Sequence, residues 1–283
     1  MTLSAHDALL REIAEYPNSF APLGPRDERI EKDGYSLWMG AGASWNTVQR
    51  QRLAPGGVEA AVEEVRALLR ERGRASTQWE VGSAATPADL VERLLGLGLI
   101  HDKDPVAAAL VLTEPPPAPP PGVVARRLET FDEYVAANEI QWAVFDSSGE
   151  EVAEERPKLE ERWRETVNVM HGAWIDGQMV SAGMAAITEH GLLLFGGATL
   201  PSARGKGAYR ALINARWDDA VRNGTPTLFT QAGRMSRPVL EGVGFRRVGE
   251  IQLLLDEFGK HEMSPTPTKV TLATPKESRS DRK

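Results

Sequence analysis

The chain has 283 residues, of which 41% are hydrophobic, with a formal charge of −7, five histidines and no cysteine. That length accommodates two domains of ordinary size; the missing cysteine excludes disulfides and thiolate metal sites, and the acidic balance argues against a nucleic-acid partner. No apolar run reaches the length of a membrane span, and the first twenty residues lack a basic start and an apolar core, so a cytoplasmic protein without a signal peptide is expected.

In chain order, Leu3, Leu9, Leu10 and Ile13 recur at helical spacing until Pro17 ends the pattern. Residues 34–40 and 46–53 read as strands. Val58, Val62, Val65, Leu68 and Leu69 mark the inner face of a helix over residues 58–72 that Gly73 stops. Residues 77–82 form a strand, followed by a helix with Thr86 as N-cap and Asp89 three residues on. The run Glu-Pro-Pro-Pro-Ala-Pro-Pro-Pro at 114–121 reads as a semi-rigid polyproline spacer and a domain boundary.

Residues 123–128 then read as a strand, 131–144 as a helix, and 150–166 as a second helix with a solvated acidic face. Asp176-Gly177 joins two β-rich runs at 167–175 and 179–187 as a hairpin. Glu189-His190-Gly191 turns the chain into the apolar strand Leu192–Phe195. Next come Gly196-Gly197-Ala198-Thr199-Leu200-Pro201, the segment Ser202-Ala203-Arg204-Gly205-Lys206-Gly207-Ala208-Tyr209, and a helix carrying Ala208, Leu212 and Ala215. A strand emptying into a glycine-rich, cationic turn and then a helix presents backbone N–H groups and a helix dipole at one point, which suits phosphate. Beyond a strand at 227–232, Ser236 reads as an N-cap with Pro238 in the first turn and Gly244 as the stop. Ile251–Leu255 follows as a last strand.

Two common phosphate loops are excluded. Gly205-Lys206 is followed by Gly207 rather than Ser or Thr, against a Walker A loop, and Arg210 replaces the third glycine of a dinucleotide fingerprint. Arg204-x-x-Gly207-x-Tyr209, preceded by Thr199-Leu200-Pro201, resembles the acyl-CoA loop of the GCN5-related N-acetyltransferases (GNAT family), with signature Gln/Arg-x-x-Gly-x-Gly/Ala. The strand, short helix, Gly244-Phe245 and final strand match the second half of that family's cofactor cleft. Tyr209 departs from the signature, leaving either a wider loop or a tyrosine packed outward.

The resemblance implies an α/β fold with a mixed sheet, a GNAT domain over residues 122–258. A strand, a helix with an early proline and Gly98-Leu99 repeat this order faintly at 77–99, with no loop motif before them. The first 113 residues are therefore expected to form a degenerate GNAT-like domain without a CoA loop. A polar tail over 259–283 is expected to be flexible. By resemblance the amides of Arg204, Gly205, Lys206, Gly207, Ala208 and Tyr209 bind the pyrophosphate of acetyl-CoA, the co-substrate. Gly197, Ala198 and Thr199 then hold the pantetheine arm and polarise the thioester, and Ser236 approaches the sulfur. The implied reaction is acetyl transfer to a primary amine of a small molecule or peptide, by a monomer or homodimer with no metal.

The proton-handling groups of the family have no counterpart. Leu240 stands where many members have a tyrosine acid, and the strand before the loop carries no acid. Glu139, Asp146 and Glu150 are candidate bases, each more simply explained as a surface carboxylate. Trp142, Phe145 and Trp174 are candidate acceptor-wall residues, and Arg234, Arg237, Arg246 and Arg247 candidate partners of the 3′-phosphate. A non-catalytic acyl-CoA-binding or sensing protein is the rival reading, and a user of longer acyl-CoA a third.

Overall fold

The computed structural model describes residues 4–259, so Leu3 and all but the first residue of the expected tail lie outside the described residues. Helix α1 (Ala5–Glu15) starts at Ser4, whose hydroxyl accepts the Asp7 amide at 3.0 Å, and buries Leu10, Ile13 and Ala14. Strands β1 (Glu28–Lys32), β2 (Tyr35–Met39) and β3 (Asn46–Gln49) follow, then α2 (Val58–Arg70), β4 (Thr77–Gly82), α3 (Leu90–Gly96) and β5 (Ile100–Leu112). Helix α2 buries Val58, Val62, Val65 and Leu69 as its spacing requires. Thr86 does not cap α3. It bridges to Arg52 and its hydroxyl donates to the Leu53 carbonyl at 3.1 Å. Pro87 bars helical geometry from the residue before it, so the helix begins only at Leu90.

The second half comprises β6 (Val123–Arg127), α4 (Phe131–Val144), α5 (Gly149–Glu155), α6 (Leu159–Glu165), β7 (Val169–Ile175), β8 (Gln178–Thr188), β9 (Gly191–Thr199), α7 (Ala208–Arg222), β10 (Leu228–Ala232), α8 (Arg237–Gly242) and β11 (Arg246–Asp256). The single helix expected over 150–166 is two, broken at Arg156–Lys158 where Pro157 supplies no amide hydrogen. Asp176 and Gly177 take φ of 50° and 78°, both in the left-handed region, and close the β7–β8 hairpin with two residues. Ser236 stands at the start of α8, but its hydroxyl makes no cap and reaches only the Gly233 carbonyl at 3.4 Å.

Among the described residues the eleven strands form one mixed sheet in the order β1-β2-β3-β4-β11-β5-β10-β9-β8-β7-β6, the mixed α/β architecture expected. In the middle the last strands are exchanged. β11, from the end of the chain, pairs with β4 of the first half, and β5, from the first half, pairs with β10 of the second. β5 and β11 run antiparallel side by side. The repeat seen in sequence is thus β4-α3-β5 against β10-α8-β11, interlocked about the centre of the sheet.

Alternation along β5 assigns the faces. Ala107, Ala109 and Val111 pack beneath Leu10 and Ile13 of α1, while Ala108, Leu110 and Leu112 join Trp217 of α7 and Leu240 of α8. Helix α4 covers β8 and β9 on the α1 face through Tyr134, Ala137 and Ile140. Among the described residues no helix is long and apolar enough to cross a membrane.

Candidate functional site

β9 and β10 are parallel neighbours paired only at Leu192–Leu228 and Leu193–Phe229. One further link follows, from the Thr230 hydroxyl to the Leu194 carbonyl at 2.8 Å, and then the strands part. The divergence coincides with a bulge. Between the pairs Ala182–Ala198 and Met184–Phe195, Gly196 and Gly197 face Gly183 alone, and Gly196 takes φ of 60°. Gln141 of α4, 8% exposed, donates through Nε2 to the Gly196 carbonyl at 2.6 Å and holds the bulge from the α1 face. Strand amides turned away from a ladder partner in such a wedge can polarise a carbonyl.

Beyond Thr199 a short turn (Pro201–Ala203) leads to Arg204, and Gly207 caps α7 at φ of 86°. No acceptor among the described residues takes the amides of Gly205, Gly207, Ala208, Tyr209 or Arg210, and Ala211 is the first to bond, to the Gly207 carbonyl at 3.0 Å. These are the orphan donors of a helix start, and they carry its positive end. Arg204 and Lys206 are exposed and make no ion pair among the described residues. The loop therefore gathers free amide donors and two unpaired cations at one helix start. The polyproline spacer lies along it. Pro120 packs against Gly207, and Asn214 Nδ2 of α7 donates to the Pro117 carbonyl at 3.0 Å.

Tyr209 makes neither a wider loop nor an outward contact. It turns inward onto β9, where a Cβ on Gly197 would lie 2.9 Å from its ring and 3.1 Å from its hydroxyl. Seven residues on, Arg216 is 1% exposed and fills the space over Gly183, where any side chain would collide with it. Burial pulls this guanidinium down to about 10, partly offset by Tyr209, so it stays charged; Nε and one terminal nitrogen have no partner. Asp219 accepts at Oδ2 from Arg127 at 2.8 Å and lies 2.8 Å from His171 Nε2, while Arg222 holds its other oxygen.

His171 is fully buried. Burial first, then the positive Arg216, Arg127 and Arg222, push its imidazole down to about 2, so it donates to Asp219 as a neutral ring. The folded chain thus stays unprotonated there while the unfolded imidazole, near 6.5, takes up a proton as pH falls. Stability is unaffected above pH 6.5 and declines by about 1.4 kcal/mol per unit below it from this group. Urea midpoints at pH 6.5 and 5.5 should therefore fall further in the parent than in His171→Gln; parallel declines would refute the buried neutral imidazole.

A second polar cluster sits on the α1 face. Glu80 of β4 accepts at Oε2 from Gln49 of β3 at 2.6 Å and from Gln231 of β10 at 2.5 Å, and Gln231 also reaches the Glu15 carbonyl at 3.0 Å. Glu15 takes a bond from Ser83 at one carboxylate oxygen, and its other has none. Burial pushes both carboxyls upward. In the first half, the strands corresponding to β9 and β10 also diverge after two pairs, but Gln49 and Glu80 bridge that gap. Sequence reasoning missed Glu15, Glu80, Gln231 and Gln141. The only signals were a glutamate continuing the apolar run Ile13-Ala14 and a glutamate inside the strand Trp79–Val81.

The remaining candidates scatter. Gly197, Ala198 and Thr199 border the divergence, and Ser236 follows β10, so the parallel strands bring these residues and the loop to the same end of the sheet. Glu139 is exposed and ion-paired with Arg156 at 2.8 Å, and Asp146 and Glu150 are exposed. Leu240 is core. Trp142 lies under Arg156, Trp174 under Arg126, and Phe145 is 57% exposed. Arg246 pairs with Asp7 at 3.2 Å, away from the other three arginines of its group. Among the described residues no His, Asp or Glu cluster could hold a metal, and His261 lies outside them.

No family model matches the sequence, and no curated protein matches it. Solved structures do. A GCN5-related N-acetyltransferase from Kribbella flavida is 16% identical with a TM-score of 0.61, over 90% of this chain and 96% of that one. A tandem GNAT protein from the clavulanic acid biosynthesis pathway is 18% identical with a TM-score of 0.56, over 88% of each chain. A GCN5-related N-acetyltransferase from Sphaerobacter thermophilus is 16% identical with a TM-score of 0.55, over 81% of this chain and 82% of that one.

Proposed function

We propose that this chain, which has the GNAT fold in tandem, binds acetyl-CoA at the Arg204–Tyr209 loop and passes its acetyl group to a primary amine of a small molecule or peptide. The observation that carries this reading is the set of amides at Gly205, Gly207, Ala208, Tyr209 and Arg210 that find no acceptor among the described residues, opening beside a strand pair that parts at a glycine bulge. Phosphate oxygens fit those amides and the helix dipole, with Arg204 and Lys206 adding charge. Amides of Gly197, Ala198 and Thr199 then orient the pantetheine arm and stabilise charge growing on the thioester oxygen as the amine attacks. The new C–N bond replaces C–S, the amine proton leaves to water, and the thiolate takes one back. The protein is read as cytoplasmic, a monomer or homodimer, with residues 1–113 as a scaffold half, 114–121 as linker and 122–258 as the CoA-binding half.

A non-catalytic acyl-CoA-binding role is the second reading, favoured by Leu240 in the core and by the exposure of Glu139, Asp146 and Glu150. Calorimetric titration with acetyl-CoA and with CoA tests the common part. Saturable binding is expected, and no heat with either ligand would overturn both readings. Thiol release on adding amines separates them, since a transferase frees the CoA thiol with at least one amine and a non-catalytic binder frees it with none.

A further inference from the structure

On the α8 face, where the two halves meet, a groove of about 460 Å³ runs between β5, the end of β10, α8 and β11. Its floor is small and apolar, with Ala108 and Ala232, and its walls carry Lys103, Asp104, Arg234, Arg237, Arg247 and Glu250. That is four cations against two anions in a chain whose formal charge is −7. The volume falls in the range of small-molecule sites.

The charges are poorly spent within the protein. Lys103 makes no ion pair among the described residues, and Arg234, 85% exposed, approaches Asp104 only to 3.9 Å. Arg237 reaches Glu241, outside the groove, at 3.6 Å, and Arg247 is held by Glu250. Loose exposed pairs of this kind contribute little, so a ligand with two negative groups can replace them at small cost. The forked guanidiniums suit bidentate carboxylate or phosphate oxygens. The groove lies along β5, on the side of β10 away from β9, so it shares the end of β10 with the parting strands but none of its lining residues belongs to β9 or to the Gly205–Gly207 loop.

We propose that this groove between the halves binds a small polyanion, a molecule bearing at least two carboxylate or phosphate groups. The inference stands whether or not the loop takes acetyl-CoA. Citrate and inorganic pyrophosphate are the probes, titrated calorimetrically into the full chain at low salt; whichever binds tighter names the class of anion. A Lys103→Ser/Arg234→Ser variant, altered only at exposed positions, should weaken binding about tenfold or more, while a Gly207→Glu variant should leave it unchanged. Binding lost in Gly207→Glu but kept in the double variant would put the anion on the loop and overturn the proposal. Absence of binding by both probes would do the same.

Discussion

Replacing Gly207 by glutamate is expected to weaken acetyl-CoA binding by about 100-fold or more while leaving the chain folded. Three effects add. Gly207 caps α7 at φ of 86°, where a side chain costs about 1–2 kcal/mol. A Cβ there collides with the Pro120 ring, so the spacer must shift. The carboxylate then stands among the amides and cations that would take the pyrophosphate, and a hundredfold change needs only about 2.7 kcal/mol. Gly205→Ala is the matched control. Its φ is 74°, but nothing lies within 4 Å of the added carbon, so it carries the strain without the collision or the charge. Calorimetry on both, with circular dichroism to confirm folding, checks the assignment. Equal affinities in the parent and Gly207→Glu would remove the loop from the site.

Asp219→Ala is expected to destabilise the protein by about 3 kcal/mol. Asp219 is 1% exposed and joins β6, β7 and α7 by accepting from Arg127, His171 and Arg222. The two arginines are partly exposed and can turn to water, so their pairs count for little. His171 cannot. Its Nε2–H would be left buried without an acceptor, its Nδ1 already having no partner, beside the positive Arg216. Asp219→Asn keeps an acceptor oxygen and should lose less. Thermal unfolding should fall by several degrees in the alanine variant, and a midpoint within about 2 °C of the parent would contradict this account.

Local chemistry made much of the fold legible. The Asp176-Gly177 hairpin, the helix at 131–144 and the strand at 77–82 appear where residue pattern placed them. The glycine turn was legible because Gly205 and Gly207 have positive φ, which glycine adopts without strain. What sequence could not disclose was distant pairing. β1 (Glu-Arg-Ile-Glu-Lys) is an edge strand disguised by charge, and β5 opens with the polar run His101–Asp104, so neither shows a strand alternation. Gln141 finds Gly196, and Gln231 finds Glu80, only when the sheet is assembled. Tyr209 was misjudged for the same reason. Its inward turn depends on the room left by Gly197, a residue of β9.

The exchange of β5 and β11 makes the order of synthesis matter. As the first half leaves the ribosome, β4 has no neighbour on its inner edge, and β5 is already made but belongs beside strands not yet translated. Both wait for β11, the last strand among the described residues, which pairs with β4 and β5. Folding is therefore gated by contacts of very long sequence separation, a slow class of search. Until then an unpaired strand edge is open to pairing with other chains. Once closed, neither half can open alone, so the unit that resists proteolysis is the whole interlocked sheet.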